Sequence, residues 1–200
     1  MEDMCLFSNE YIVVIFFVDD IIPIYHPSNH HKYEEFKFAF QSKYKMRDMG
    51  DLQWFLGIRV VRDIENRKLW HCQESFVEKI THRFHLEDRK PPSTPMSTNV
   101  LEKYDGQATP QEVNTYQQNV GSLLYVTTIT RPDAAKAASK LSEFLLNPSP
   151  RHIEAVEMAI SYLYGTRHLA IQYGPRCGQD AFTCSSDAAF SDNKKSYFIY

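Results

Sequence analysis

Glycine is scarce in this chain of 200 residues: there are seven, against twelve Tyr and thirteen Phe. That balance excludes a collagen-like or linker polypeptide and argues against intrinsic disorder. A basic excess is also missing, since 22 Lys and Arg stand against 25 Asp and Glu for a net charge of −3. Neutralising phosphates drives much of nucleic-acid affinity, so any such contact has to come from a local patch. The stretch from Lys79 to Lys90 (Lys79, His82, Arg83, His85, Arg89, Lys90) is the best one, although a solvated helix face accounts for it equally well. The four Cys, at 5, 72, 177 and 184, show no paired CxxC spacing and follow no secretory leader. A disulfide framework and a structural zinc site are therefore not expected. His30-His31 and the His82/His85 pair have no third ligand at recognisable spacing, which leaves them as solvated faces. No long apolar run exists either. The longest, Ile12 to Val18, is too short to span a bilayer and ends on two acids, unlike a signal peptide. The expectation is an intracellular protein, cytoplasmic or nuclear, neither secreted nor in a membrane.

What is present suffices for a core, with 43% hydrophobic residues. Residues 11–17 and 21–25 are β-branched and aromatic runs joined by Val18-Asp19-Asp20, the pattern of a strand pair with a tight acidic turn. Pro23 cannot donate to a ladder, so the second strand is an edge or irregular there. Tyr33, Phe36, Phe40 and Tyr44 fall at helical spacing over roughly 29–45. Residues 52–62 read as one strand, with Glu65-Asn66-Arg67 turning into a second at 68–73. Phe76, Val77, Ile80 and Phe84 mark a short helix. Residues 88–110, with Pro91, Pro92, Pro95 and Pro110 among Ser and Thr, form a linker.

Helix starts punctuate the second half. Thr109-Pro110-Gln111-Glu112 is a capping box with Pro at the first helical position, and Thr130-Arg131-Pro132-Asp133 looks like the same device. Ser149-Pro150 opens a third helix, closed by Gly165. Leu169, Ile171 and Tyr173 alternate as a strand, and a further alternating stretch at 182–186 runs into Asp187. Both ends of the chain fall on apolar, strand-like sequence, which suggests a piece of something longer.

Chemistry concentrates at Asp19 and Asp20. Two adjacent acids between apolar strands need compensation if they are buried, and Mg²⁺ is one source of it. In two-metal sites a pair of ions about 4 Å apart activates the attacking oxygen and stabilises the leaving one. An ordinary hairpin turn explains the dipeptide as well, because Asp is common in turns.

The wider pattern bears on that choice. Phe17-Val18-Asp19-Asp20-Ile21, Phe40 through Gly57, Thr94-Pro95-Met96, Tyr116 through Asp133, Asn147-Pro148-Ser149 and Tyr162 through Thr166 occur in one order along the chain. With Ser186 through Phe190, this order resembles copia-type long-terminal-repeat retrotransposon polyproteins, from the late reverse transcriptase palm into the start of ribonuclease H. The resemblance implies an α+β fold in three parts. Residues 1–73 would be the later palm, 74–175 a helical thumb and connection containing the 88–110 linker, and 176–200 the first strands of a ribonuclease-H-like sheet. It implies catalytic metal ligands at Asp19, Asp20 and Asp187 with Mg²⁺ as the ion. Trp54, Phe55, Leu56 and Gly57 would grip the primer, with an RNA template and an RNA–DNA hybrid as partners. Read for themselves, Trp54, Phe55 and Ile58 are equally core residues of a strand, with Gly57 a bulge.

The family's first catalytic Asp and its fingers have no counterpart here, and of the ribonuclease H carboxylates only the Asp187 position is present. The chain alone is therefore expected to be inactive as an RNA-directed DNA polymerase. The competing readings are a non-catalytic nucleic-acid or protein-binding remnant, and a metal-binding protein using His and Cys. An exposed sheet edge or apolar patch is expected where the palm strands lack neighbours.

Overall fold

The computed structural model describes residues 5–174. It is α+β, with two antiparallel sheets and five α-helices among the described residues. The 176–200 region, including Asp187 and the 182–186 stretch, lies outside them.

The first sheet has strands β1 (Leu6–Ser8), β2 (Ile12–Phe17) and β3 (Asp20–Tyr25) in that spatial order. The two runs expected as a strand pair are β2 and β3, and β1 is an addition. Val14 pairs with Pro23 on β3, which is an edge strand, so the missing N–H of the proline faces no ladder partner. Helix α1 (His30–Lys43) follows a 3-10 turn at Pro27–Asn29. Its apolar positions meet the sheet through rings: Phe40 lies 6.1 Å from Phe16, and Tyr33 stacks on Tyr25 at 4.5 Å. None of its residues is fully buried. The expected apolar patch is here, because Phe7, Val14, Phe16, Phe36 and Phe40 line an open groove of about 470 Å³.

The second sheet has the order β4 (Trp54–Phe55), β5 (Ile58–Asp63), β6 (Lys68–Cys72) and β7 (Ile171–Tyr173). The single strand read over 52–62 is in fact a hairpin. Phe55 pairs with Ile58 across a two-residue turn in which Leu56 (φ 51°) and Gly57 (φ 76°) are both left-handed. Two positive φ angles in succession are the type I′ turn that matches strand twist, and Gly57 supplies one of them without Cβ strain. A strand period continues on either side of such a turn, which is why periodicity alone did not reveal it. The strand at 169–173 is present as β7 and pairs with β6, Trp70 Nε1 donating to the Gln172 side chain at 3.1 Å.

The core lies among α2 (Glu74–Arg83), α3 (Pro110–Ile129), α4 (Ala135–Ser142) and α5 (Pro150–Gly165). On α3, Tyr116, Val120, Leu123 and Val126 repeat at helical spacing and are fully buried. Each such apolar side chain contributes about 1.5–3 kcal/mol over leaving it exposed. The Tyr116 hydroxyl stays satisfied by donating to the Leu141 carbonyl at 2.7 Å. Burial raises its pKa well above the usual tyrosine value.

Two of the three expected helix starts hold. Thr109 and Glu112 form a reciprocal capping box, and Ser149 forms one with His152, whose Nδ1 accepts the Ser149 N–H at 2.9 Å. The third does not. Thr130 ends α3 and donates its hydroxyl to Gln73 at 2.8 Å, while Pro132–Ala134 form only a 3-10 turn without a side-chain cap. Arg131 replaces the cap as the organising residue. Its buried guanidinium binds Asp133 through Nε (2.9 Å) and Nη2 (2.7 Å), and reaches the Thr166 carbonyl at 3.0 Å.

Gly165 is the last residue of α5 and does not adopt the left-handed cap expected of it; Thr166 is the cap, at φ −117°. The glycine is needed because a Cβ there would collide with the Pro91 ring. Pro91 belongs to the 88–110 linker, which has bends and no strand but is tied down. The Asn147 side chain accepts from the Ala108 N–H at 2.9 Å and donates to the Gly106 carbonyl at 2.9 Å.

Candidate functional site

The β2–β3 turn places both acids at the surface. Phe17 pairs with Asp20, leaving Val18 and Asp19 as the central residues, and Val18 takes φ 55°. A β-branched residue is disfavoured there, and such strain gathers at functional sites. Asp19 and Asp20 are both exposed. Water therefore solvates the two like charges, and the desolvation argument for a compensating cation does not apply to this chain taken by itself. Their carboxylates are the oxygen donors that a hard cation such as Mg²⁺ prefers. Among the described residues, no group of three or more His, Cys, Asp or Glu side chains converges as a metal site. The two acids are adjacent in sequence, and a third oxygen donor is not supplied by the described residues.

The β4–β5 hairpin lies beside this turn. Phe55 meets Phe17 edge-on, with ring centroids 6.1 Å apart. Trp54 is half exposed at 50%, Leu56 is 40% exposed and Gly57 lies on the surface in a turn, while Phe55 and Ile58 are half-buried, so the strand-core alternative fits those two better than Trp54. The four residues expected to grip a primer thus form a hairpin tip in which Trp54, Leu56 and Gly57 are exposed and the half-buried Phe55 makes a ring contact to the turn with the two acids. Sequence reasoning missed the anchor of this tip. The Tyr125 hydroxyl, from α3, donates to the Leu56 carbonyl at 2.6 Å, and its ring packs against Phe76 of α2 at 4.8 Å. Tyr125 lies within the Tyr116–Asp133 motif, which was the only signal available for it.

The basic stretch from Lys79 to Lys90 is partly neutralised. His82 Nδ1 stands 3.4 Å from Glu87, and Arg89 binds Glu157 at 2.9 Å. Lys79, Arg83 and Lys90 are exposed and make no ion pair among the described residues. Arg167 extends the α2–α5 contact by binding Glu78 at 3.1 Å and lying over the Tyr164 ring.

No helix among the described residues is long and apolar enough to cross a membrane.

Comparison with known proteins agrees with this sequence pattern. Residues 4–98 match the family described as reverse transcriptase (RNA-dependent DNA polymerase). The chain is 32% identical to the retrovirus-related Pol polyprotein from transposon TNT 1-94 of Nicotiana tabacum, over 98% of its own length and 15% of that protein's. It is 29% identical to the Pol polyprotein from transposon RE1 of Arabidopsis thaliana, over 78% of the chain and 10% of the relative. For transposon RE2 of the same plant the identity is 31%, over 64% of the chain and 9% of the relative. The chain thus spans well under a fifth of these polyproteins. No solved structure matches it. Residues 4–98 are thus similar to the reverse transcriptase family, and the chain is similar along nearly all of its length to one stretch of a retrotransposon Pol polyprotein.

Proposed function

We propose that the chain supplies the metal-turn and primer-contacting part of a retrotransposon reverse transcriptase. The observation that carries this reading is the contact between the two hairpins, in which the Phe17–Phe55 ring pair sets the Asp19-Asp20 turn beside the exposed Trp54-Leu56 tip. In this reading Asp19 and Asp20 hold Mg²⁺ together with a carboxylate from the preceding part of the polyprotein. Bound there, the ion supplies charge neutralisation and nucleophile activation for nucleotidyl transfer. The chain's own contribution is positioning: Trp54 offers a stacking surface to a base or sugar, and the Leu56-Gly57 backbone lies open to the primer strand. Helices α2–α5 serve as thumb and connection along an RNA–DNA hybrid, and Asp187 opens a ribonuclease H segment as its first metal ligand. An intracellular location, cytoplasmic or nuclear, goes with this role.

Two carboxylates do not complete a two-metal site, so the chain by itself is expected to extend no primer. Joined to the preceding polyprotein segment it is expected to extend one in Mg²⁺, and Asp19→Asn or Asp20→Asn is expected to abolish that activity. Extension by the chain alone at a rate abolished by Asp19→Asn would overturn the assignment of an incomplete site. Extension by the joined protein that survives Asp19→Asn would overturn the metal role.

One observation favours a second reading, a non-catalytic binding remnant. The groove between the first sheet and α1 is apolar and open. That reading predicts nucleic-acid or protein binding indifferent to both Asp substitutions.

A further inference from the structure

The β4–β5 tip carries the residues proposed to touch the primer, yet it belongs to a strand of only two residues, Trp54–Phe55. A hairpin with so few ladder bonds does not fix its own position. Its turn has, however, one strong external tie. The Leu56 carbonyl, which points out of the turn, accepts the Tyr125 hydroxyl at 2.6 Å across 69 residues of sequence. Tyr125 is itself well held: it is half-buried on the twenty-residue helix α3, and its ring is set edge-on against Phe76 at 4.8 Å. Gly57 serves the turn through its φ of 76°, and a Cβ there would meet the same hydroxyl only at an ordinary contact distance of 3.6 Å. On the other side of the hairpin, Phe55 reaches Phe17, the residue before the Val18-Asp19 turn.

We infer that Tyr125 is a positioning residue: its hydroxyl fixes the Leu56-Gly57 turn and, through Phe55 and Phe17, sets the Asp19-Asp20 turn relative to the helical core. The chain of contacts runs from Phe76 to Tyr125, to the Leu56 carbonyl, to Phe55 and to Phe17, without a break. Helices α2 and α3 otherwise pack against α5 and contribute no side-chain hydrogen bond to this tip among the described residues. Thr130 at the end of α3 also holds Gln73, just after β6, at 2.8 Å, so the Tyr125 hydroxyl is the tie that α3 makes at the tip itself. The part of this inference that concerns primer contact rests on the reading under "Proposed function"; the mechanical part does not.

Tyr125→Phe removes the hydroxyl and keeps the ring against Phe76, so the test does not depend on a variant that fails to fold. Amide hydrogen exchange of the full chain reads the consequence. In Tyr125→Phe, the segments 54–60 and 16–21 are expected to exchange about threefold to tenfold faster, as the loss of one such bond implies, with α3, α4 and α5 unchanged. Affinity for a labelled RNA–DNA hybrid is expected to fall by a similar factor with no matching drop in Tm. Unchanged exchange in both segments, or faster exchange throughout the helices, would overturn the inference, and faster local exchange with unaltered hybrid affinity would overturn its primer-contact part. Failure of the wild-type chain to bind the hybrid contradicts the proposed function instead, while the exchange result still decides whether Tyr125 sets the turns.

Discussion

Val18 holds a β-branched side chain at φ 55° with 90% of its surface exposed. Asn tolerates that conformation far better. Val18→Asn is expected to raise stability by about 1 kcal/mol in denaturant melts, and a loss of stability would show that the turn is not left-handed in solution. Arg131 is the opposite case, a charge 3% exposed whose partners are all present. Arg131→Ala leaves the Thr166 carbonyl without this donor and Asp133 with the Tyr162 hydroxyl but no cation, and is expected to cost about 2–4 kcal/mol by the same melts. The Arg131 guanidinium, with help from the Tyr162 hydroxyl, holds the Asp133 carboxyl below its usual range. A lowered carboxylate pKa adds stability that is present above about pH 4 and lost as pH falls through the folded value. The sequence showed Arg131 and Asp133 only as letters in a presumed helix cap. Their true roles depend on Thr166, thirty-three residues beyond Asp133, and no local pattern reports that contact.

The helices differ in how they are held, and the capping residues decide much of it. His152 is 1% exposed, stacks on Phe144 at 3.8 Å and uses Nδ1 as the acceptor of the α5 capping box. Burial pushes its pKa below the ordinary histidine value. The folded state then favours the neutral ring. Its stabilisation is fully present above about pH 6.5 and is lost as pH falls from there through the folded value. Protonation also turns the acceptor into a donor facing the Ser149 N–H. Stability measured between pH 7 and pH 5 is expected to fall, and His152→Gln, which keeps an acceptor at this position, is expected to flatten that slope. An identical slope in the variant would assign the dependence to other groups. Capping boxes were legible because they are local. Thr109-Pro110-Gln111-Glu112 spells its own hydrogen bonds, whereas the type I′ turn at Leu56-Gly57 interrupts an apolar run whose two halves look like one strand.

At the scale of the molecule, two bodies of different solidity meet. Helices α2–α5 enclose a cluster that includes Tyr116, Leu123, Leu141, Ile160 and Leu163, all inaccessible to solvent. The first sheet and α1 bury little, and leave Phe7 57% and Phe38 76% exposed. Amide exchange is expected to show strong protection in α3 and α5 and weak protection in α1, and equal protection would contradict this division. The α+β class followed from the resemblance, and most elements after β1 followed from period and capping signals, although β1 and the break between β4 and β5 did not. The anchoring of the hairpin tip by Tyr125 was not readable, because it joins residues 69 positions apart through a side-chain-to-backbone bond.

The central claim is that the exposed tip beside the Asp19-Asp20 turn faces nucleic acid. Titration of the chain onto a fluorescent RNA–DNA hybrid at several salt concentrations tests it most directly. The expected result is an affinity whose logarithm falls linearly with the logarithm of salt concentration, and a loss of about tenfold in Trp54→Ala through the missing stacking surface. Absence of hybrid binding at low salt, or binding unaffected by Trp54→Ala, would contradict it.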